Sequence, residues 1–166
     1  MNKISFCSKI EGKRIVLKRH EEVLAPTMFE YVDQDRKRLG QFLPWVSYVK
    51  TTDDELNYIQ KTHQDWDSLL RFDYGIFRKS DDMYLGNIGV HTIRWDNACC
   101  EIGYWILGKY EGQGFMSEAV RIIEKYLFDI GFHRIEIRCS SINEKSANVP
   151  IACGDLYDGT LEEDAM

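Results

Sequence analysis

Apolar positions change their spacing several times along this 166-residue chain, and each change predicts an element. "KRIVLKR", residues 13–19, reads as a short strand. From Glu21 to about Gln41 the spacing is helical, with a break expected near Pro26 and a stop near Gly40 and Pro44. "TTDDELNYIQKTHQDWDSLL" opens on Thr and Asp capping candidates and puts Leu56, Ile59, His63, Trp66 and Leu70 on one helical face. His63 on that stripe is either a catalytic base or a histidine satisfied by a neighbour.

Three strand-like runs follow, "FDYGIFRK", "YLGNIGVHTIRW" and "CCEIGYWIL". The links "SDDM" and "DNA" are short and turn-rich, so the runs form an antiparallel meander. A helix is then expected from Met116 to Ile130, with Gly131 as its left-handed cap, followed by "HRIEIRCS" as another strand. Strand, helix and strand in succession make a parallel pair. The fold class is α/β (α+β) with one mixed sheet and helices on both faces, and a ligand is expected where strand ends meet a helix N-terminus.

Composition narrows the function. The length fits a single domain over residues 1–166. With 21 basic and 27 acidic residues the net charge is −6, which argues against a nucleic-acid partner, although Lys13, Arg14, Lys18 and Arg19 cluster. The first residues, "MNKISFCSKIEGKRIVL", lack a signal-peptide core and no run suffices to span a bilayer, so no membrane role and a cytoplasmic setting are expected. Five cysteines without C-x-x-C spacing imply reduced thiols and no metal site.

The candidate chemistry sits in "GKYEGQGFMSEAV", residues 108–120. A chain that leaves a strand and turns at once into a helix needs backbone angles that a Cβ forbids, and Gly112 and Gly114 supply them. The amides of Gln113, Gly114, Phe115 and Met116 would then converge on one anion at the positive end of the helix dipole. Ser117 stands where a dinucleotide fingerprint needs a third glycine, and the Gly-Lys-Ser/Thr of a P-loop is missing. A tight turn with no ligand remains the alternative to a phosphate cradle.

This G-x-G at the crossover helix, the mixed meander and "INEKS" after the next strand together resemble the GNAT superfamily of acyl-CoA N-acyltransferases. "VDQDRKRLGQFLPWV", "EIGYWILGKYEGQGFMSEAV", "RIEIRC" and "NEKSANVP" are similar to its Rim-type branch of ribosomal-protein N-terminal acetyltransferases, over about residues 13–154. The superfamily cradle begins with Gln or Arg, where this chain has Lys109. The resemblance implies acetyl-CoA as cosubstrate, its pyrophosphate held by the amides of Gln113 to Met116 with help from the Ser117 hydroxyl. It implies that Trp105, Ile106 and Leu107 pair with the pantetheine arm between the two parallel strands, and that Asn143 and Ser146 face the arm from the other side. Asn143 is equally read as a helix N-cap.

The resemblance further implies direct attack of an amine on the thioester, with Glu101 as general base through water and Ser146 as acid for the thiolate. The alternative reading of Glu101 is an ordinary strand carboxylate. A protein N-terminal α-amine, with pKa about 8, is neutral far more often at pH 7 than a lysine at about 10.4, so it asks less of the base. A ribosomal-protein N-terminus is the expected acceptor; a polyamine, amino sugar or amino acid, or a non-catalytic acyl-CoA sensor, are the alternatives. Trp45, Trp66, Trp95 and Trp105 would either line an acceptor cleft or fill the core. The resemblance weakens in "VPIACGDLYDGTLEEDAM", where Asp155 replaces an expected aromatic and the last strand of relatives has no counterpart. Either a homodimer through the resulting sheet edge or weakened acceptor binding with reduced stability is expected, unless "DLYDGTL" closes the sheet.

Overall fold

The computed structural model describes residues 1–161. Six strands form one sheet in chain order: β1 (Lys9–Glu11), β2 (Ile15–Arg19), β3 (Phe72–Arg78), β4 (Met83–Arg94), β5 (Cys99–Ile106) and β6 (Arg134–Ile137). Successive pairs are antiparallel up to β5, and β5 with β6 is parallel, as the run of strands followed by a crossover helix predicts. β1 has no counterpart in the sequence reading. Its three residues are too few for a period-2 signal to register.

The helices are α1 (Ala25–Gln34), α2 (Arg36–Leu39), α3 (Thr52–Asp67), α4 (Phe115–Asp129) and α5 (Glu144–Cys153). Pro26 opens α1 instead of breaking it, because its missing N–H is not needed in the first turn. In α3 the Thr51 side chain accepts from the Asp54 amide and the Asp54 carboxylate accepts from the Thr51 amide, a closed capping box. Leu70 was expected on the buried stripe, but α3 ends at Asp67 and Leu69 takes a left-handed φ of 57°, leaving Leu70 exposed. Gly131 ends α4 in the left-handed region, with φ 113°, as its position predicted.

Both sheet faces are covered. Ile76, Ile88, Cys100 and Ile102 are fully or almost fully buried on one face, the side of α4 and α5. On the same face the Tyr104 hydroxyl donates to the Ser146 carbonyl of α5 at 2.8 Å. Trp105 points the opposite way, edge-on to Tyr84, which stacks on Tyr31 of α1. Burying α4's stripe of Phe115, Ala119, Val120, Ile123 and Leu127 contributes about 1.5–3 kcal/mol for each large apolar side chain. Trp66 and Trp95 are core residues. Among the described residues no helix is long and apolar enough to cross a membrane.

Candidate active site

The site follows from where β5 and β6 part company. Their pairing runs from Cys99↔Arg134 to Ile102↔Ile137 and stops there, whereas β5 continues to Ile106 with only β4 beside it. The β5 edge from Gly103 onward therefore faces an opening. A cleft of about 990 Å³ occupies it, between the β5 edge, the start of α4 and the N-terminal half of α5.

At the cleft's far end the chain makes the turn that the glycine spacing predicts. Gly112 and Gly114 have φ of 71° and 81°, and Gly114 immediately precedes α4. No side chain caps this helix end, so the donors of its first turn have no side-chain partner there. A Cβ on Gly114 would lie 3.2 Å from Arg14 Nη2, in addition to straining the backbone. Arg14, on the β1–β2 turn, braces the cradle from outside: its Nη1 donates to the Gln113 carbonyl at 2.9 Å and its Nε to Glu118 at 2.9 Å. Burial pushes the Glu118 carboxyl up, but the backbone and side-chain bonds from Arg14 outweigh it and hold the pKa below the usual range. These residues fit a pantetheine–diphosphate ligand: an unpaired strand edge, then backbone donors with no side chain in the way.

The other expected cofactor residues divide. Trp105, Ile106, Phe115, Met116 and Ser117 line the cleft. Leu107 does not: its amide donates to the Leu85 carbonyl on β4 at 3.0 Å and its side chain is buried. Lys109 also turns away, its ammonium lying 5.1 Å and 5.7 Å from the ring centres of Tyr110 and Tyr31. Gln113 bonds back to the Lys109 carbonyl through its side chain. The Ile106 carbonyl already accepts from Arg38 Nη2 at 2.6 Å.

Asn143 lines the cleft and caps α5, its Oδ1 accepting from the Ser146 amide at 3.2 Å, so the capping role is real. Ser146 lines the same wall. Glu101 does not line the cleft; it is 9% exposed, on the Trp105 face of β5, two residues before Gly103, which does line it. Its nearest cation is Arg138, with Nε 3.7 Å from Oε1.

Sequence reasoning missed a polar frame at the cleft. Arg38 of α2 pairs with Asp35 and, at 2.6 Å, with Glu111, whose other oxygen meets Lys145 of α5 at 2.7 Å. This chain of charges joins the two walls of the cleft. Beneath it, Asp73 accepts from Arg71 Nε at 2.8 Å and from the Tyr58 hydroxyl at 3.2 Å, in space that a Cβ on Gly89 would fill. His20 bonds Asn87 at 2.9 Å, and the His63 ring donates to the His20 carbonyl at 2.6 Å, so His63 is the satisfied histidine. Burial drives the Glu55 carboxyl up to about 7, with Asp54 adding to the effect, and its Oε1 has no hydrogen-bond partner among the described residues.

A family model described as "Acetyltransferase (GNAT) domain" matches residues 14–154. The chain belongs to the GNAT acetyltransferases. It is 28% identical over 163 residues to the Bacillus subtilis protein YdaF, whose name marks it as a candidate ribosomal N-acetyltransferase, covering 95% of this chain and 86% of that one. To the Escherichia coli ribosomal-protein-serine acetyltransferase it is 26% identical over 140 residues, 82% of this chain and 75% of the relative. The solved structure of RimL, a ribosomal L7/L12 α-N-protein acetyltransferase in complex with coenzyme A, superposes with a TM-score of 0.89 at 22% identity, over 95% of this chain and 89% of that one. At that identity the likeness establishes the fold, and this GNAT acetyltransferase shares it.

Proposed function

We propose that this acetyltransferase moves the acetyl group of acetyl-CoA to a protein N-terminal α-amine, with a ribosomal protein as acceptor, in the cytoplasm. The observation that carries the cosubstrate is the unpaired β5 edge from Gly103 to Ile106, which leads into two left-handed glycines at an uncapped helix start. Acetyl-CoA and coenzyme A are named in complexes of structural neighbours. The names of the Bacillus subtilis and Escherichia coli relatives support the acceptor. The pyrophosphate lies on the amides from Gln113 to Met116 and the Ser117 hydroxyl, and the pantetheine runs along Trp105 and Ile106 toward Gly103.

The amine enters from the Trp105 face and attacks the thioester carbon directly, both reactants being held in one cleft. Glu101 takes the amine proton through water, and the Ser146 hydroxyl serves the departing thiolate. The outer edge of β6 has no strand beside it among the described residues, and Asp158 reaches back to Arg134. That supports the homodimer through this edge, which light scattering across concentrations checks.

The deciding experiment is thiol release from acetyl-CoA with a panel of acceptors: peptides beginning Ser or Ala with ribosomal-protein sequences, spermidine and an amino-sugar antibiotic. The peptides are expected to be acetylated on the α-amine, shown by mass spectrometry. Turnover of spermidine or the amino sugar alone overturns the acceptor assignment.

A further inference from the structure

His91 is the partner of Glu101 across β4 and β5, on the same sheet face. The two strands lose register just beyond it: His91 opposes Glu101 and Arg94 opposes Cys99, so Thr92 and Ile93 face Cys100 alone. This is a bulge, and Thr92 within it has φ 49°. A β-branched residue in the left-handed region costs on the order of 1–3 kcal/mol, a strain that surrounding structure must hold in place, and bulges of this kind re-aim side chains.

Here the bulge puts the Thr92 hydroxyl 2.9 Å from His91 Nδ1, at an exposed position. The other end of the ring is turned the opposite way. His91 Nε2 lies 3.1 Å from where a Cβ on Gly103 would stand, and it has no hydrogen-bond partner among the described residues. Gly103 forms the floor of the cleft where β5 and β6 separate. The imidazole therefore lies against Gly103 at one nitrogen and beside Thr92 at the other. With its proton on Nδ1 and donated to Thr92, the lone pair of Nε2 faces the glycine.

Resting on the reading that an amine is acetylated in this cleft, we infer that His91 is a second proton acceptor of the reaction. Nε2 takes a proton from the ammonium seated over Gly103, and the ring releases one from Nδ1 beside Thr92. The freed nitrogen pair attacks the thioester carbonyl carbon and forms the C–N bond. The C–S bond then breaks with its electron pair on sulfur, and the second nitrogen proton, taken by Glu101 through water as the adduct collapses, passes to the thiolate and gives the thiol. The net products are the amide, the thiol of coenzyme A and one proton delivered to solvent.

The charged groups facing His91 are Arg71 and Asp73 from the β3 side and Glu101 from β5, with Thr92 on its own strand. Burial, helped by Arg71, lowers its pKa, while Glu101 and Asp73 oppose the shift. The ring is consequently neutral at pH 7 and able to accept.

The test compares wild type with His91→Gln, folded by circular dichroism, using acetyl-CoA with an N-terminal serine peptide and with spermidine. His91→Gln is expected to lower kcat/KM at pH 7 by about 10²-fold, to leave the acetyl-CoA Kd unchanged, and to remove the acid-side inflection from the pH profile. A variant with the wild-type profile and rate overturns the proposal. If only spermidine is acetylated, the α-amine reading falls and the same comparison on spermidine still decides for His91. Independently of turnover, NMR titration of the His91 ring in the acetyl-CoA complex is expected to give a pKa below that of a free histidine. A value at or above it overturns the assignment whatever the acceptor.

Discussion

The two halves of the cleft are made of different material. On the side proposed for the cofactor the groups on offer are backbone: the open edge of β5, the amides from Gln113 to Met116, and glycines that keep side chains away from them. The rest of the site is made of side chains from distant segments, with Arg38 from α2, Glu111 from the β5–α4 link and Lys145 from α5 at the cleft, and Glu101 beside His91 in the sheet. Backbone groups are present at every position and need only the right local angles. Side-chain groups must be brought together by the whole fold.

That difference predicts how each half fails. The largest effect belongs to the proposed base. Glu101→Gln is expected to reduce kcat by 10²–10⁴-fold, the usual range for a general base, with the acetyl-CoA Kd within about twofold of wild type. Steady-state kinetics and calorimetry on one preparation check it, and a matching loss of acetyl-CoA affinity would put Glu101 on the cofactor side.

Gly114→Val reverses the pattern. It places a β-branched residue at φ 81°, 3.2 Å from Arg14 Nη2, and is expected to weaken acetyl-CoA binding at least tenfold, about 1.4 kcal/mol or more. Turnover at saturating acetyl-CoA should change less than the Kd. Unchanged affinity in a folded variant would remove the cradle from the binding site.

Two carboxylates sharpen the comparison through pH. Glu55, on α3, has its pKa raised from 4.5 to about 7 by burial, so the folded state holds its proton more tightly than the unfolded chain. Its ionisation therefore costs stability progressively as pH rises from about 4.5 to about 7, and the cost is full above that. Glu55→Gln is expected to raise the midpoint of thermal unfolding at pH 8 by several degrees, on the order of 1–3 kcal/mol, and to leave it nearly unchanged at pH 4. Equal shifts at both pH values would show that charge burial is not the cause.

Glu118, under the cradle, has the opposite sign. Its lowered pKa makes the link to Arg14 a contribution present above the unfolded carboxyl pKa and lost as pH falls through the folded one. Arg14→Ala is expected to cost about 1 kcal/mol at pH 7, and less as the solution is acidified, with a few-fold weaker acetyl-CoA Kd. Denaturant unfolding at pH 7 and pH 3 measures the difference. This is the smallest of the four effects, because Arg14 is half exposed and water replaces part of what is lost.

Local signals accounted for much of the architecture. The meander, the crossover and the cradle follow from period-2 runs, short turns and paired glycines, all of which act within a few residues. Where reading failed, a longer-range contact had decided. Lys109 matched the cradle pattern by position, but the aromatic rings of Tyr31 and Tyr110 hold its ammonium on the far side. Leu107 belonged to the expected pantetheine strand by neighbourhood, yet its amide was already engaged by Leu85 of β4. The capping role of Asn143 was legible because an N-cap is set by its own next three residues.

The sequence by itself determined the order of elements and the glycine turn at Gly112 and Gly114, because hydrophobic period and left-handed backbone are properties of adjacent residues. Only the tertiary structure decided that β6 stops pairing at Ile137 while β5 runs on to open the cleft. It alone set His91 against Gly103, through a bulge whose register depends on two strands at once. Pair register and side-chain convergence are relations between segments far apart in the chain, and no local pattern encodes them.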